Sequence, residues 1–422
     1  MSKVCIATNY EILGPPQVAI WNTLSSELAR RDVQLVLLTT NAHPELAVVY
    51  VVIPYALRDF DKLNIPDPPE VARLDAMLEI EALWQNPYLP DESRRGAKIC
   101  RGFYQRLLTA LEPDTVLVWN TLAPHSRILQ LLCHEEEIPV FSFERGQLPG
   151  TLFLDTLRNN SASELSTSFV IESCMAAYET DGASLARYRE WYLQTRPHKH
   201  VGAADASVAE LEKARESGRP VVTVFGQALG AGILPRTDAL ARRNFPFFRS
   251  AGEILSALAE LDDCTLAFRD HPINVREQKS TDLPERTVRV QEGPLIRVLE
   301  LTDVAVVLGS TTVLYEGLLL RKPVLVLGNT PIARFSPYYL AHGLGLAEAL
   351  RRARRGGWEG IREPAEKALS FLLERALIAT RDDVPARRGI GDLAAFVASF
   401  DLGCSRSLDQ RLRELERLAA SV

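Results

Sequence analysis

The chain has no apolar run near the roughly 20 residues that a membrane-crossing helix needs. It also has no Cys-x-x-Cys pair and no excess of basic over acidic residues. Each absence removes a class. The six cysteines (Cys5, Cys100, Cys133, Cys174, Cys264 and Cys404) are scattered, which leaves no zinc-binding spacing. Four of them sit in apolar runs, where cysteine acts as a small buried hydrophobe. A net charge of −6 weighs against a nucleic-acid partner. G-x-G-x-x-G, P-loop and Ser-His-Asp patterns are missing, as are internal repeats and low-complexity tracts. The first residues read as a strand and lack the basic and apolar regions of a signal peptide. The expectation is a cytoplasmic protein that needs no metal and no cofactor.

What is present suits an ordinary α/β enzyme. A chain of 422 residues, 46% hydrophobic and 24% charged, fits two domains of roughly 200 residues each. Strand-like runs at Val4–Thr8, Val33–Leu38, Ala47–Ile53, Thr115–Trp119 and Pro139–Phe143 alternate with helical stretches such as Gln17–Arg30. A second alternation has strands at Val221–Phe225, Cys264–Phe268, Thr287–Val290, Val304–Leu308 and Pro323–Leu327. Such near-continuous apolar runs mark parallel strands buried on both faces, and the βαβ rhythm predicts doubly wound sheets. Residues 144–166 read as a long polar loop. From about Pro364 the pattern reads as helical only, ending in an amphipathic segment, Leu408–Ala420. The expected division is a Rossmann-like acceptor domain over 1–200, a Rossmann-like donor domain over 201–385 and helices over 386–422.

Two stretches stand at carboxyl ends of expected strands, where open α/β sheets bind ligands. One is Arg269-Asp270-His271-Pro272. The other is Gly309-Ser310-Thr311-Thr312, which runs into a helix carrying Glu316. A histidine there can donate to a phosphate or protonate a leaving one, and Pro272 restricts its backbone. Ser310, Thr311 and Thr312 read either as a helix N-cap or as an anion cradle at a helix N-terminus. Glu316, one turn in, could accept from ribose hydroxyls. Gly226 and Gln227 follow the first strand of the second domain, where glycine lets a backbone approach a ligand. Together these residues point to a nucleotide-sugar donor.

In the first half, Glu144 follows a strand and opens the segment Glu144-Arg145-Gly146-Gln147. It could act as a base on an acceptor hydroxyl or as a nucleophile on an anomeric carbon, or simply pair with Arg145. Asp155 is the reserve carboxylate. Gly14, Arg145 and Gln147 are the expected acceptor-side residues. Arg351-Arg352-Ala353-Arg354-Arg355 reads as a solvated basic face, with anionic lipid or a charged acceptor as functional alternatives.

With these residues laid out, the chain resembles the bacterial capsule polysaccharide biosynthesis proteins, the Kps-type β-Kdo transferases of GT-B fold. The likeness lies in Phe143–Asp155, Arg269–Pro272 and Gly309–Glu316, over about a third of the chain. It implies transfer of Kdo or a related acidic sugar from a CMP-activated donor to a glycan or glycolipid, with peripheral contact at the inner membrane face. His271 and Ser310–Thr312 would hold the CMP phosphate, Glu316 the ribose, and Glu144 would be catalytic as nucleophile or base. Arg145 departs from the family, which usually has an acidic or amide residue there. A cation beside Glu144 would lower its pKa. The competing readings are a CDP-glycerol glycerophosphotransferase, a nucleotide-sugar epimerase and a non-catalytic capsule assembly partner. The first of these normally shows Asp-Tyr-Ser-Ser where Gly309-Ser310-Thr311-Thr312 stands here.

Overall fold

The structure, a computed structural model, describes residues 3–9, 13–54, 57–60, 91–121, 124–156, 163–167, 169–195, 206–226, 251–261, 263–271, 283–290, 293–308, 311–327, 339–340, 345–403 and 406–419. Its strands, in chain order, are β1 (Lys3–Asn9), β2 (Val33–Thr39), β3 (Val49–Val52), β4 (Thr115–Trp119), β5 (Val140–Arg145), β6 (Thr151–Asp155) and β7 (Val221–Phe225). They continue with β8 (Thr265–Arg269), β9 (Val288–Arg289), β10 (Val304–Leu308), β11 (Val324–Leu327), β12 (Tyr339–Leu340), β13 (Leu377–Ala379) and β14 (Arg388–Gly389).

Two sheets result. The first runs β3-β2-β1-β4-β5-β6-β13-β14 and the second β9-β8-β7-β10-β11-β12. Counted within its own unit, the second sheet is 3-2-1-4-5-6, the Rossmann order, with every pairing parallel. The first sheet repeats that order through β5 in parallel and then adds β6 and β13 as antiparallel neighbours. Two Rossmann-ordered units, with the chain's last part returning to the first, form the GT-B-type α/β architecture.

The first sheet is covered on both faces, so its central strands carry apolar residues toward both sides. Val4 and Ile6 pack with the Asp91–Leu111, Pro124–Glu135 and Leu408–Ala419 helices, while Cys5 and Ala7 face the Pro15–Ala29 and Ile390–Ala398 helices. That alternation is the period of two of a strand. The Pro15–Ala29 helix starts at a proline, which fits the first turn, and buries Val18, Trp21, Leu24 and Leu28 at helical spacing. The second sheet, the Ala183–Thr195 helix and the apolar residues Leu148 and Phe153 share one continuous core.

Two expectations need correction. The 144–166 segment is not one loop: β5 runs on to Arg145, and β6 turns back to pair Glu144 with Phe153 and Arg145 with Leu152. The segment after Pro364 is not purely helical, because β13 and β14 extend the first sheet. Both strands are too short for periodicity to register, and β13 is fixed by a distant partner, β6. The C-terminal helix is pinned by Arg411, which is fully buried and donates from Nη1 to the carbonyls of Leu111 (3.2 Å) and Glu112 (3.4 Å). These carbonyls end the Asp91–Leu111 helix, where a cation is favoured. No helix among the described residues is long and apolar enough to cross a membrane.

Candidate functional site

The strand order of the second sheet reverses between β7 and β10. Chains leave these neighbouring strands in opposite directions there, which opens a crevice at their carboxyl ends. Three candidate segments meet at this edge. Gly226 N, after β7, donates to Arg269 O at the end of β8 (2.8 Å). A Cβ at Gly226 would lie 2.9 Å from Asp270 Oδ1 and 3.1 Å from the Phe268 ring, so only glycine fits without displacement. Asp270 Oδ1 in turn accepts from His271 N (2.7 Å), which folds the turn that carries the histidine. Arg269 is 7% exposed and donates from Nη2 to Gly293 O (2.7 Å), placing a guanidinium beneath the crevice floor. Burial and the loss of hydration hold its pKa below the ordinary value, opposed by the Glu316 charge.

The third segment follows β10. Thr311 is the N-cap of the Thr312–Leu319 helix, its Oγ1 accepting from Val313 N (3.3 Å). The cap reading therefore holds for Thr311. Thr312 is exposed, and its side chain is hydrogen-bonded to Glu316. Glu316 itself is 4% exposed and accepts from the Tyr192 hydroxyl. Burial pushes its carboxyl up to about 7, against the Tyr192 and Thr312 hydrogen bonds and the Arg269 charge, which favour the ionised form. Tyr192 is pushed far above the usual phenol range, first by burial and then by Glu316, so it stays a donor. Gln227, Pro272 and Ser310 lie outside the described residues.

The first sheet brings Gly14 and Arg145 together through a residue that sequence reasoning passed over. With its amide oriented by these neighbours, Gln17 accepts from Arg145 Nη2 (2.6 Å) and donates to Gly14 O (3.2 Å). Glu144 and Arg145 are half-buried, and adjacent strand residues project to opposite faces of the sheet. Gly146 N donates to Thr151 O (2.8 Å), closing the β5–β6 turn. A Cβ at Gly146 would fall 2.1 Å from Thr151 Oγ1. Gln147 leaves Oε1 buried and without a protein partner among the described residues. Asp155, the reserve carboxylate, is 4% exposed and its Oδ2 accepts from Glu164 N (2.8 Å), which ties down the next helical turn.

One helix joins the two sheets. From Ala183–Thr195, Tyr188 OH donates to Pro149 O (2.5 Å) in the β5–β6 turn, and Tyr192 OH reaches Glu316. Arg189 Nε donates to Leu319 O (2.8 Å), at the end of the same helix that Thr311 caps. The signal was present as Tyr188, Trp191 and Tyr192 at helical spacing, but the pattern alone reads as core packing. Among the described residues no three His, Cys, Asp or Glu side chains group as metal ligands.

No family model matches the chain, and no curated protein sequence does so significantly. Solved structures with a similar arrangement include the beta Kdo 2,4 transferase KpsC of Thermosulfurimonas dismutans, at 17% identity and TM-score 0.41, covering 63% of this chain and 85% of that one. The spinosyn rhamnosyltransferase SpnG complexed with thymidine diphosphate aligns at 15% identity and TM-score 0.39, over 94% and 99% of the two chains. The glycosyltransferase SnogD from Streptomyces nogalater aligns at 14% and 0.35, over 94% and 99%. Scores this low carry no conclusion about the chemistry of this chain.

Proposed function

We propose that the chain is a GT-B glycosyltransferase. A nucleotide-activated sugar would bind at the carboxyl edge of the second sheet, and the acceptor would lie against the first. The observation that carries this reading is the meeting of Gly226, Arg269–His271 and the capped Thr312–Leu319 helix at the reversal point of a Rossmann-ordered sheet. A helix N-terminus beside a buried arginine and a histidine offers N–H donors and positive charge where a leaving phosphate gathers negative charge.

For the donor, the reading is Kdo or a related acidic sugar carried by CMP. It rests on the resemblance of Phe143–Asp155, Arg269–Pro272 and Gly309–Glu316 to the Kps-type transferases. Arg145, steadied by Gln17 on the other face of the strand from Glu144, would serve the acceptor. Glu144 would attack the anomeric carbon as CMP departs, with His271 donating to the leaving phosphate. An acceptor hydroxyl would then displace Glu144, its proton passing to the released carboxylate, giving net retention. As a general base, Glu144 would instead deprotonate the acceptor in a single inverting step. The buried Glu316 holds its helix start through Thr312 and Tyr192, and its share in ribose binding belongs to the same proposal. Independence of metal, a glycan or glycolipid acceptor, a cytoplasmic location and peripheral contact with the inner membrane face complete it.

Thermal stabilisation by CMP, CDP, UDP and GDP, each with and without magnesium, tests the donor, since a ligand of the folded state raises the melting temperature by mass action. A shift with CMP alone, independent of magnesium, is expected. A shift with UDP or GDP only would overturn the CMP assignment and leave nucleotide-sugar transfer standing.

A further inference from the structure

The opposite edge of the second sheet holds a cavity of about 690 Å³ that the proposed reaction does not use. Its lining comes from residues just before strands: Pro220 before β7, Asp263 before β8, Asp303 before β10 and Pro323 before β11. The strands are parallel, so all of these lie at amino ends. The proposed donor site is at the carboxyl ends, on the order of 15 Å away along a five-residue strand.

Seven cationic side chains line this cavity against two carboxylates, in a chain whose net charge is −6. The carboxylates are already engaged. Asp263 Oδ2 pairs with Arg354 (2.7 Å), and Asp303 Oδ2 accepts from Val221 N (2.8 Å). The cations are crowded together. Arg215 and Lys322 both donate to the Glu300 carbonyl, at 2.7 and 3.0 Å. Burial, and next the Arg215 charge, lowers the pKa of Lys322. Like charges gathered in a concavity oppose folding unless an anion joins them.

Arg321 lies at the rim of the same cavity. The Thr312–Leu319 helix ends in a Schellman motif, with Arg321 N donating to Leu318 O and Lys322 N to Gly317 O. Arg321 occupies the left-handed position of that motif at φ 59°, where glycine is the residue without strain. A bulky cation therefore stands where backbone geometry asks for glycine, at the rim of a basic cavity.

We infer that this cavity is a second ligand site, for a multiply charged oxyanion bearing phosphate or carboxylate groups. Six of the seven cations are arginines, whose planar forks pair two-point with both groups. No aromatic side chain lines the cavity, so nothing there would stack a nucleobase. The concave form suits a compact ligand or one short segment of an acidic glycan rather than a flat bilayer.

The test uses the full chain at low ionic strength, titrated calorimetrically with sodium tripolyphosphate and, separately, with a galacturonate oligomer. Saturable binding of either probe is expected. Tripolyphosphate alone would indicate a free phosphorylated ligand, and the oligomer a glycan carrying carboxylates. Arg321→Gly should weaken binding about tenfold while raising the melting temperature, a combination that general damage to the fold does not produce. Arg351→Ala/Arg355→Ala, both exposed positions, should weaken it similarly and leave nucleotide stabilisation unchanged. The inference is overturned if neither probe saturates, if both variants bind as the parent does, or if only phosphatidylglycerol vesicles are captured.

Discussion

The Tyr192 hydroxyl donates to Glu316 Oε2 across 124 positions of sequence, joining the helix that touches the β5–β6 turn to the helix proposed to face the donor. Both groups are buried. Tyr192→Phe removes the only proton donor of that pair and leaves a buried carboxyl short of a partner. Stability should fall by about 1–3 kcal/mol, and the Glu316 titration should move up from about 7. Urea denaturation of both proteins at several pH values checks this, and an unchanged midpoint would show that the contact is dispensable.

Glu316 also gives the chain a pH dependence of definite sign. Its carboxyl is raised from 4.5 to about 7 by burial. As pH rises through that window, the unfolded chain gives up the proton while the folded one keeps it. Stability from this group therefore decreases between those two values, by on the order of 3 kcal/mol, and is level above and below. Glu316→Gln is neutral throughout, so the difference in unfolding free energy between it and the parent should develop inside the window. Parallel curves would contradict the assignment.

Gly146 and Thr151 should couple strongly. Gly146→Ala places a Cβ 2.1 Å from Thr151 Oγ1, and a forced shift of this kind costs roughly 1–3 kcal/mol. Thr151→Ala removes the clashing oxygen and should restore part of the loss in the double variant. Additive losses in a double-mutant cycle would show that the turn relaxes elsewhere.

Arg411→Met keeps the bulk of the side chain but loses its bonds to Leu111 O and Glu112 O. A loss of about 1.5–3 kcal/mol is expected for a charged donor. Limited proteolysis should then cut ahead of the Leu408–Ala419 helix sooner than in the parent.

For the reaction itself, Glu144→Gln should reduce transfer at least about a hundredfold while nucleotide stabilisation persists. A folded Glu144→Gln variant with parental turnover would remove this residue from the mechanism.

The parts of the fold visible in the sequence are those whose two faces are both buried. Val304–Leu308 is wholly apolar, Val221–Phe225 and Thr115–Trp119 are apolar but for one threonine each, and each is a strand with the bounds the pattern suggests. β13 escaped notice because what makes it a strand is its pairing with β6 across more than two hundred positions. The same holds at the site. Local spacing picked out Gly226, Arg269 and Thr311 one segment at a time. Gln17 and Tyr192, whose partners are distant in sequence, became evident only once the chain was folded.

The placement of β13 also sets an order of events during synthesis. β6 emerges from the ribosome with one edge open, and its neighbour β13 is made only after the whole second Rossmann unit. Other closing contacts come equally late: Lys3 Nζ donates to Ala398 O (2.8 Å), and Asp114 accepts from both Val4 N (2.9 Å) and Leu402 N (3.0 Å). An unpaired strand edge is a template for wrong partners, and nascent multidomain chains are most exposed to aggregation in this state. The N-terminal unit begins first and finishes last, so a stop codon anywhere before residue 377 leaves it with a raw edge as well as removing the tail.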